Sequence, residues 1–196
     1  RNKMARAYIV DTASSTPIVT TAVAKAHLKV DISDDDTLID NLVTAATQAA
    51  EEYTNRYFMQ TTLIMRGDTW DDIKTLYKSP VDSITHIKYY DADDSLQTLA
   101  GAVYLADLYS KPAQISLMPD QSFPSLSSRK MAVEVKYVVG EGTTTDTISD
   151  LIKQSVLLMV GHWYEHRSSV ISGKTAMEIP LTSQMLLDQY KIQVCR

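Results

Sequence analysis

The sequence is poor in cysteine, glycine and proline, and it has no long apolar run and no excess of basic charge. Its one cysteine, Cys195, has no partner within the chain, so no intrachain disulfide supports the fold and assembly in a reducing compartment is the simplest reading. Glycine and proline number six each in 196 residues, about half their usual share, which excludes collagen-like and low-complexity classes. The longest apolar run, Val156 to Val160, is far below the ~20 residues of a membrane-spanning helix. The weakly apolar start, Ala7 to Val10, stops at Asp11, so a signal peptide is not expected either. The chain opens on Arg1, and Met4 is a candidate start. Nineteen Lys and Arg against 24 Asp and Glu give a net charge of −5, with no like-charge block longer than Asp34-Asp35-Asp36. The basic footprint of a nucleic-acid binder is therefore missing.

What is present is a globular chain, 44% hydrophobic, of a length that implies one domain or one domain with a sizeable insertion. About 70% of its surface can be buried at this size, so a core forms without staples. Thr20 and Thr21 are possible caps for a short helix over Ala22 to Leu28. A longer helix follows from Asp34 to about Arg56. Leu38, Leu42, Ala46, Ala49, Tyr53 and Tyr57 recur there at helical spacing beside Ile39, Val43 and Ala50, and the opening aspartates complement the helix dipole. Ala45, Ala46, Ala49 and Ala50 would let another helix approach closely.

From Thr61 to Val139 the period changes to two: Thr85, Ile87 and Tyr89 alternate with His86, Lys88 and Tyr90, and Val133, Val135 and Tyr137 with Glu134 and Lys136. Val103 with Leu105 and Ile115 with Leu117 mark two weaker strands, and Asp91 to Ser95 and Ser110 to Pro112 supply turns. A small antiparallel sheet is expected. Helical spacing resumes after Ser149, a cap, with Ile152, Val156, Met159, Val160 and Trp163 on one face and Leu151, Leu157, Leu158 and Tyr164 over most of the rest. A helix apolar nearly all round is either the centre of the fold or covered by a neighbouring subunit. Ser168 to Lys174 reads as a polar tether and Thr182 to Tyr190 as a last short helix.

Several motifs hint at chemistry, and each has a plainer reading. His162-Trp163-Tyr164-Glu165-His166 fits the H-x-x-E-H pattern of zinc hydrolases, but the only downstream acids are Glu178 and Asp188. The plainer reading puts both histidines at the wet end of a core helix. Gly140-Glu141-Gly142 lacks the third glycine of a phosphate-binding turn and reads as a strand exit. Asp91, Asp93 and Asp94 read as a hairpin turn, because Ser95 and Leu96 replace the glycine and later ligands of a calcium loop. Asp31, Asp34, Asp35 and Asp36 read as a helix start. No nucleophile-elbow pattern occurs, and nothing points to an enzyme, a metal requirement or a cofactor.

The order of the segments is more specific than any one of them. Pro17-Ile18-Val19-Thr20, Ala24 to Asp31, Asp35-Asp36 with Leu38-Ile39, and Glu51-Glu52-Tyr53-Thr54-Asn55-Arg56 resemble the tailed-phage head-tail connector family. Ser79-Pro80-Val81, Ile87 to Asp91, Val133 to Gly140, Ile152 to Gln154, Gly161 to Arg167 and Leu186 to Lys191 are similar to its longer, sheet-containing branch. The resemblance covers roughly residues 17 to 192. Asn55 departs from it, standing where family members often carry glycine, as do Ser95 in place of a turn glycine and the absence of a proline at Ser149.

The resemblance implies a structural virion protein, a head-completion adaptor. Its copies would form a ring, twelve in number, below the portal, extend the DNA channel without sequence-specific binding, and dock the next neck or tail protein. Another neck or tail binding module and a zinc hydrolase are the alternatives. The expected fold class is α+β, a helical core of residues 17–58 and 146–167 with a β insertion over 59–145. Residues 1–16 are expected as an N-terminal extension and 168–196 as tether, short helix and tail. Leu151, Leu157, Leu158 and Tyr164 are the expected ring interface. Met185, Leu186, Tyr190, Ile192 and Val194 are the expected portal-docking residues, the last two as part of a strand added to a partner's sheet.

Overall fold

The computed structural model describes residues 8–166 and 179–192. In chain order the elements are β1 (Tyr8–Thr12), α1 (Thr21–Leu28), α2 (Asp36–Thr54), β2 (Thr61–Gly67), α3 (Trp70–Ile73), β3 (Thr75–Leu76), β4 (Val81–Tyr90) and β5 (Leu96–Thr98). They continue with β6 (Tyr104–Asp107), β7 (Ala113–Leu117), β8 (Val133–Val139), a 3-10 turn (Thr145–Thr147), α4 (Asp150–Glu165) and α5 (Leu181–Asp188). The class is α+β. The chain divides into two compact units, one holding residues 8–14 and 60–141 and the other 15–59 together with the described part of 142–192.

The β unit contains a five-stranded antiparallel sheet in the order β1-β2-β8-β4-β5 and a three-stranded one in the order β3-β7-β6. Alternation sets its faces. Leu63 and Met65 on β2 lie opposite Tyr137 and Val135 on β8, and all four are buried, while Arg66 opposite Glu134 forms an ion pair at 2.8 Å on the other face. The sequence leads to one sheet without the N-terminal strand, and the structure differs in both respects. Tyr8 to Thr12 pairs with β2, and Lys136 of β8 reaches across to Asp11 at 2.8 Å. In β4 the pairing shifts between Ile84 and His86, so Thr85 turns outward and Ile87 is buried, which breaks the strict alternation read from the sequence.

In the helical unit, Ile39, Val43, Ala46 and Ala50 of α2 form one buried cluster with Ile152, Val156, Met159 and Val160 of α4. The α2 stripe is centred one position later than Leu38 and Leu42, which are half-buried, and Ala45 is exposed. Small side chains at Ala46 and Ala50 let the two helices come close. Ala24 of α1, Phe58, Ile148 and Leu187 of α5 complete the cluster. Thr20 caps α1, accepting from Val23 N–H at 3.4 Å, and Ser149 caps α4, accepting from Leu151 N–H at 3.3 Å. The aspartates that open α2 tie it to its neighbours: Asp36 accepts from Lys25 Nζ at 2.6 Å, Asp35 from the Tyr164 hydroxyl, and Asp40 from the Thr21 hydroxyl.

Candidate assembly surfaces

The four expected ring residues lie on α4, and the structure separates them. Leu157 is only 8% exposed and packs in the helical core, whereas Leu151 is 40% exposed. Leu158 and Tyr164 are half-buried, and the Tyr164 hydroxyl is held by Asp35. The cause is α5. It packs against α4, as do α1 and α2, so the all-round apolar helix is the centre of its unit and the chain's own elements cover most of it. The sequence leaves α4 either at the centre of the fold or against a neighbouring copy, and α5 supplies the first outcome over most of its surface.

The C-terminal segment is fastened to the helical unit by specific polar contacts. Ser183 Oγ donates to the Ser155 carbonyl at 3.2 Å, Tyr190 Oη lies 2.6 Å from Ser149 Oγ, and the Ile192 N–H donates to the Thr54 carbonyl at 3.0 Å. Arg56 Nη1 donates to the Tyr190 carbonyl at 3.3 Å, and the Lys191 ammonium sits 4.1 Å from the centre of the Tyr53 ring. Tyr53 Oη donates to Asp188 at 2.6 Å, and that bond, with the nearby carboxylate charge, raises the tyrosine above its ordinary pKa. Of the expected docking residues, Ile192 is therefore 8% exposed, while Tyr190 and Leu186 are half-buried. Met185 is 65% exposed, one turn from Leu181 at 73%. Val194 lies outside the described residues, as does the tether over Ser168 to Lys174.

The other motifs resolve as local structure. Asp91 accepts from the backbone N–H groups of Asp93 and Ser95 and from Gln97 Nε2, at 3.1, 3.0 and 2.9 Å. These bonds, the one from Ser95 foremost, hold its carboxyl below the usual range. It is a turn anchor between β4 and β5. Gly140 has φ 123°, open to glycine alone, and its N–H donates to the Pro80 carbonyl at 2.9 Å. A side chain at Gly142 would come 2.3 Å from Thr147 Oγ1, so this glycine is required by packing. His162 and His166 lie side by side at the end of α4, with ring centres 4.6 Å apart and planes tilted by 34°. Glu165 is exposed, Glu178 lies outside the described residues, and Asp188 is engaged by Tyr53. Among the described residues no three His, Cys, Asp or Glu side chains are grouped to hold a metal, and no helix is long and apolar enough to cross a membrane.

Sequence reasoning missed the anchoring of the 118–132 loop. Trp70 stacks on Phe123 with ring centres 4.5 Å apart and donates its Nε1–H to the Pro124 carbonyl at 2.9 Å. Asp68 accepts from Met131 N–H at 2.7 Å and from Lys130 Nζ at 3.0 Å. Isolated aromatics in turn-rich sequence carry no period, so only the fold pairs them.

Residues 20–105 match the family model described as phage gp6-like head-tail connector protein, in keeping with the resemblance carried by the sequence. No curated protein matches the chain. Three solved structures share its fold from end to end. A chain in the neck of an empty gene transfer agent particle computed with six-fold symmetry aligns with TM-score 0.78 at 18% identity, over 97% of each chain. A chain in the virion of the native gene transfer agent particle aligns with TM-score 0.74 at 18% identity, over 96% of this chain and 97% of that one. A chain in the neck of the native particle computed with twelve-fold symmetry aligns with TM-score 0.69 at 17% identity, over 96% and 97%.

Proposed function

We propose that this chain is a phage head-tail connector, a structural protein of the virion neck that forms a ring-shaped adaptor between the head and the tail. The observation that carries it is the coincidence of the family match over residues 20–105 with a fold shared over 97% of both chains with a neck protein. The role is non-catalytic. Asp91 serves as a turn anchor and Asp35 as a tie between α2 and α4, which suits a structural part.

In this reading, copies of the chain form a closed ring, twelve if the count matches the neck computed with twelve-fold symmetry. The ring lies below the portal, continues the DNA channel and offers its far side to the next neck or tail protein. A net charge of −5 suits a channel through which DNA slides without being held. Leu151, with the accessible parts of Leu158 and Tyr164, is the contact offered to neighbouring copies. Met185, with the accessible part of Leu186, is the contact offered to the portal. Tyr190 and Ile192 hold the C-terminal segment in place. The test is electron microscopy of the neck in particles assembled with and without this chain. A ring of its density under the portal, with heads left tailless in its absence, is the expected result; tailed particles without it would refute the role.

A further inference from the structure

We infer that His162 and His166 form a two-donor site for a borderline divalent transition metal, with zinc and nickel as the type ions. The site is independent of the connector reading and is not catalytic. His162 lies in the last turn of α4 and His166 is its C-cap, and the two imidazoles come together there with ring centres 4.6 Å apart and planes tilted by 34°. His166 Nδ1 lies 2.9 Å from the His162 carbonyl oxygen. A carbonyl can only accept, so Nδ1 carries the proton, and the lone pair of the neutral ring is on Nε2. This is the outer support that ligating histidines usually have: one nitrogen donates to a carbonyl, which fixes the tautomer and ring orientation and leaves the other free to bind.

The remaining two histidines of the chain are placed differently. His86 Nε2 is 3.5 Å from Glu134 Oε1, and His27 packs beside Gly161, on another side of α4 from His162. Among the described residues no third donor is grouped with the two imidazoles, and a zinc or nickel ion held by two protein donors binds reversibly. Imidazole donors favour these ions over magnesium and calcium, which prefer oxygen. A bound ion would cross-link the last turn of α4 and stabilise the folded chain by mass action.

The experiment is calorimetric titration of the untagged, chelator-treated full chain with zinc, nickel and magnesium chlorides, paired with thermal melts. Zinc and nickel should bind saturably at one ion per chain and raise the melting midpoint, and magnesium should do neither. His162→Gln and His166→Gln should each weaken zinc binding at least tenfold, with helical circular dichroism unchanged. His27→Gln, His86→Gln and Cys195→Ser should bind as the parent does. No saturable zinc binding by the parent, or stoichiometric binding that survives in the His162→Gln/His166→Gln double variant, would overturn the site.

Discussion

Asn55 shows how much a single backbone position can decide. It ends α2 at φ 56° and ψ 35°, its N–H donates to Glu52 O at 3.3 Å, and the next N–H, of Arg56, donates to Glu51 O at 3.0 Å. This left-handed closure satisfies carbonyls that the helix end would leave open, and asparagine tolerates it better than any residue but glycine. Asn55→Gly should therefore leave stability within about 0.5 kcal/mol, whereas the β-branched Asn55→Val should cost about 1–2 kcal/mol by urea unfolding. Equal stability of the two variants would show that the turn does not constrain the chain. The turn aspartates of the β unit act through charge. Asp68 is held below the ordinary carboxylate range chiefly by the Met131 N–H, Asp91 by the Ser95 N–H, and Asp107 by the Ser110 hydroxyl. With the folded pKa depressed, the unfolded chain binds protons first as the pH falls. The stabilisation is complete above the unfolded value of ~3.9 and is lost as pH drops through the lower folded value. Amide exchange at Met131, Ser95 and Ser110, corrected for intrinsic rate, should show protection at pH 6 that fades below about pH 4. Undiminished protection at pH 2 would mean that these carboxylates do not hold the turns.

At the scale of elements, α5 is the piece that changes most between sequence and structure. Leu187 is fully buried in the helical core, and Met185, two residues earlier, is 65% exposed. Leu187→Ala should cost about 2–5 kcal/mol, and Met185→Ala should stay within about 0.5 kcal/mol, both read from denaturant midpoints. Comparable losses from the two would mean that α5 is not docked as described. Deleting everything after Lys174 should likewise destabilise the helical unit, because it uncovers α4. The long helices were legible because a 3.6-residue apolar period survives in the letters: Ile152, Val156, Met159 and Val160 mark α4, and α2 has the same period, although its buried stripe of Ile39, Val43, Ala46 and Ala50 runs beside the one centred on Leu38 and Leu42. The capping of α4 by Ser149 was legible for the same local reason. β1 was not. Ile9 and Val10 are 53% and 48% exposed on a sheet edge, and their strand is fixed by backbone pairing with β2 about 55 residues away, which leaves little alternation to read. The division of the β region into two sheets is equally long-range, since β3 pairs with β7 and no local pattern announces it. For the proposed assembly surfaces the apolar residues can be named from the letters, while their availability depends on which face of α4 the C-terminal helix occupies.

For the whole molecule, the proposed ring makes one demand that a folded monomer does not: apolar surface must be left over once the core is complete. Leu151 meets it at 40% exposed, and Leu158, half-buried on the same helix, adds to it. Such a contact is small for a stable pair in dilute solution. In a ring seated on a symmetric platform each copy gains from several contacts at once, so a weak interface suffices. The free chain should accordingly be monomeric or only weakly associated at micromolar concentration, and ring-forming on heads. Leu151→Asp places a charge where a neighbour would pack and leaves the core untouched, so its melting temperature and circular dichroism should match the parent. Leu158→Asp tests the same side with some added risk to folding, because that position is half-buried. Incorporation into heads, scored by neck density and by the fraction of tailed particles, should fall several-fold for Leu151→Asp. If that protein is folded and joins heads as well as the parent does, the ring contact lies elsewhere on the chain, even where a ring is seen.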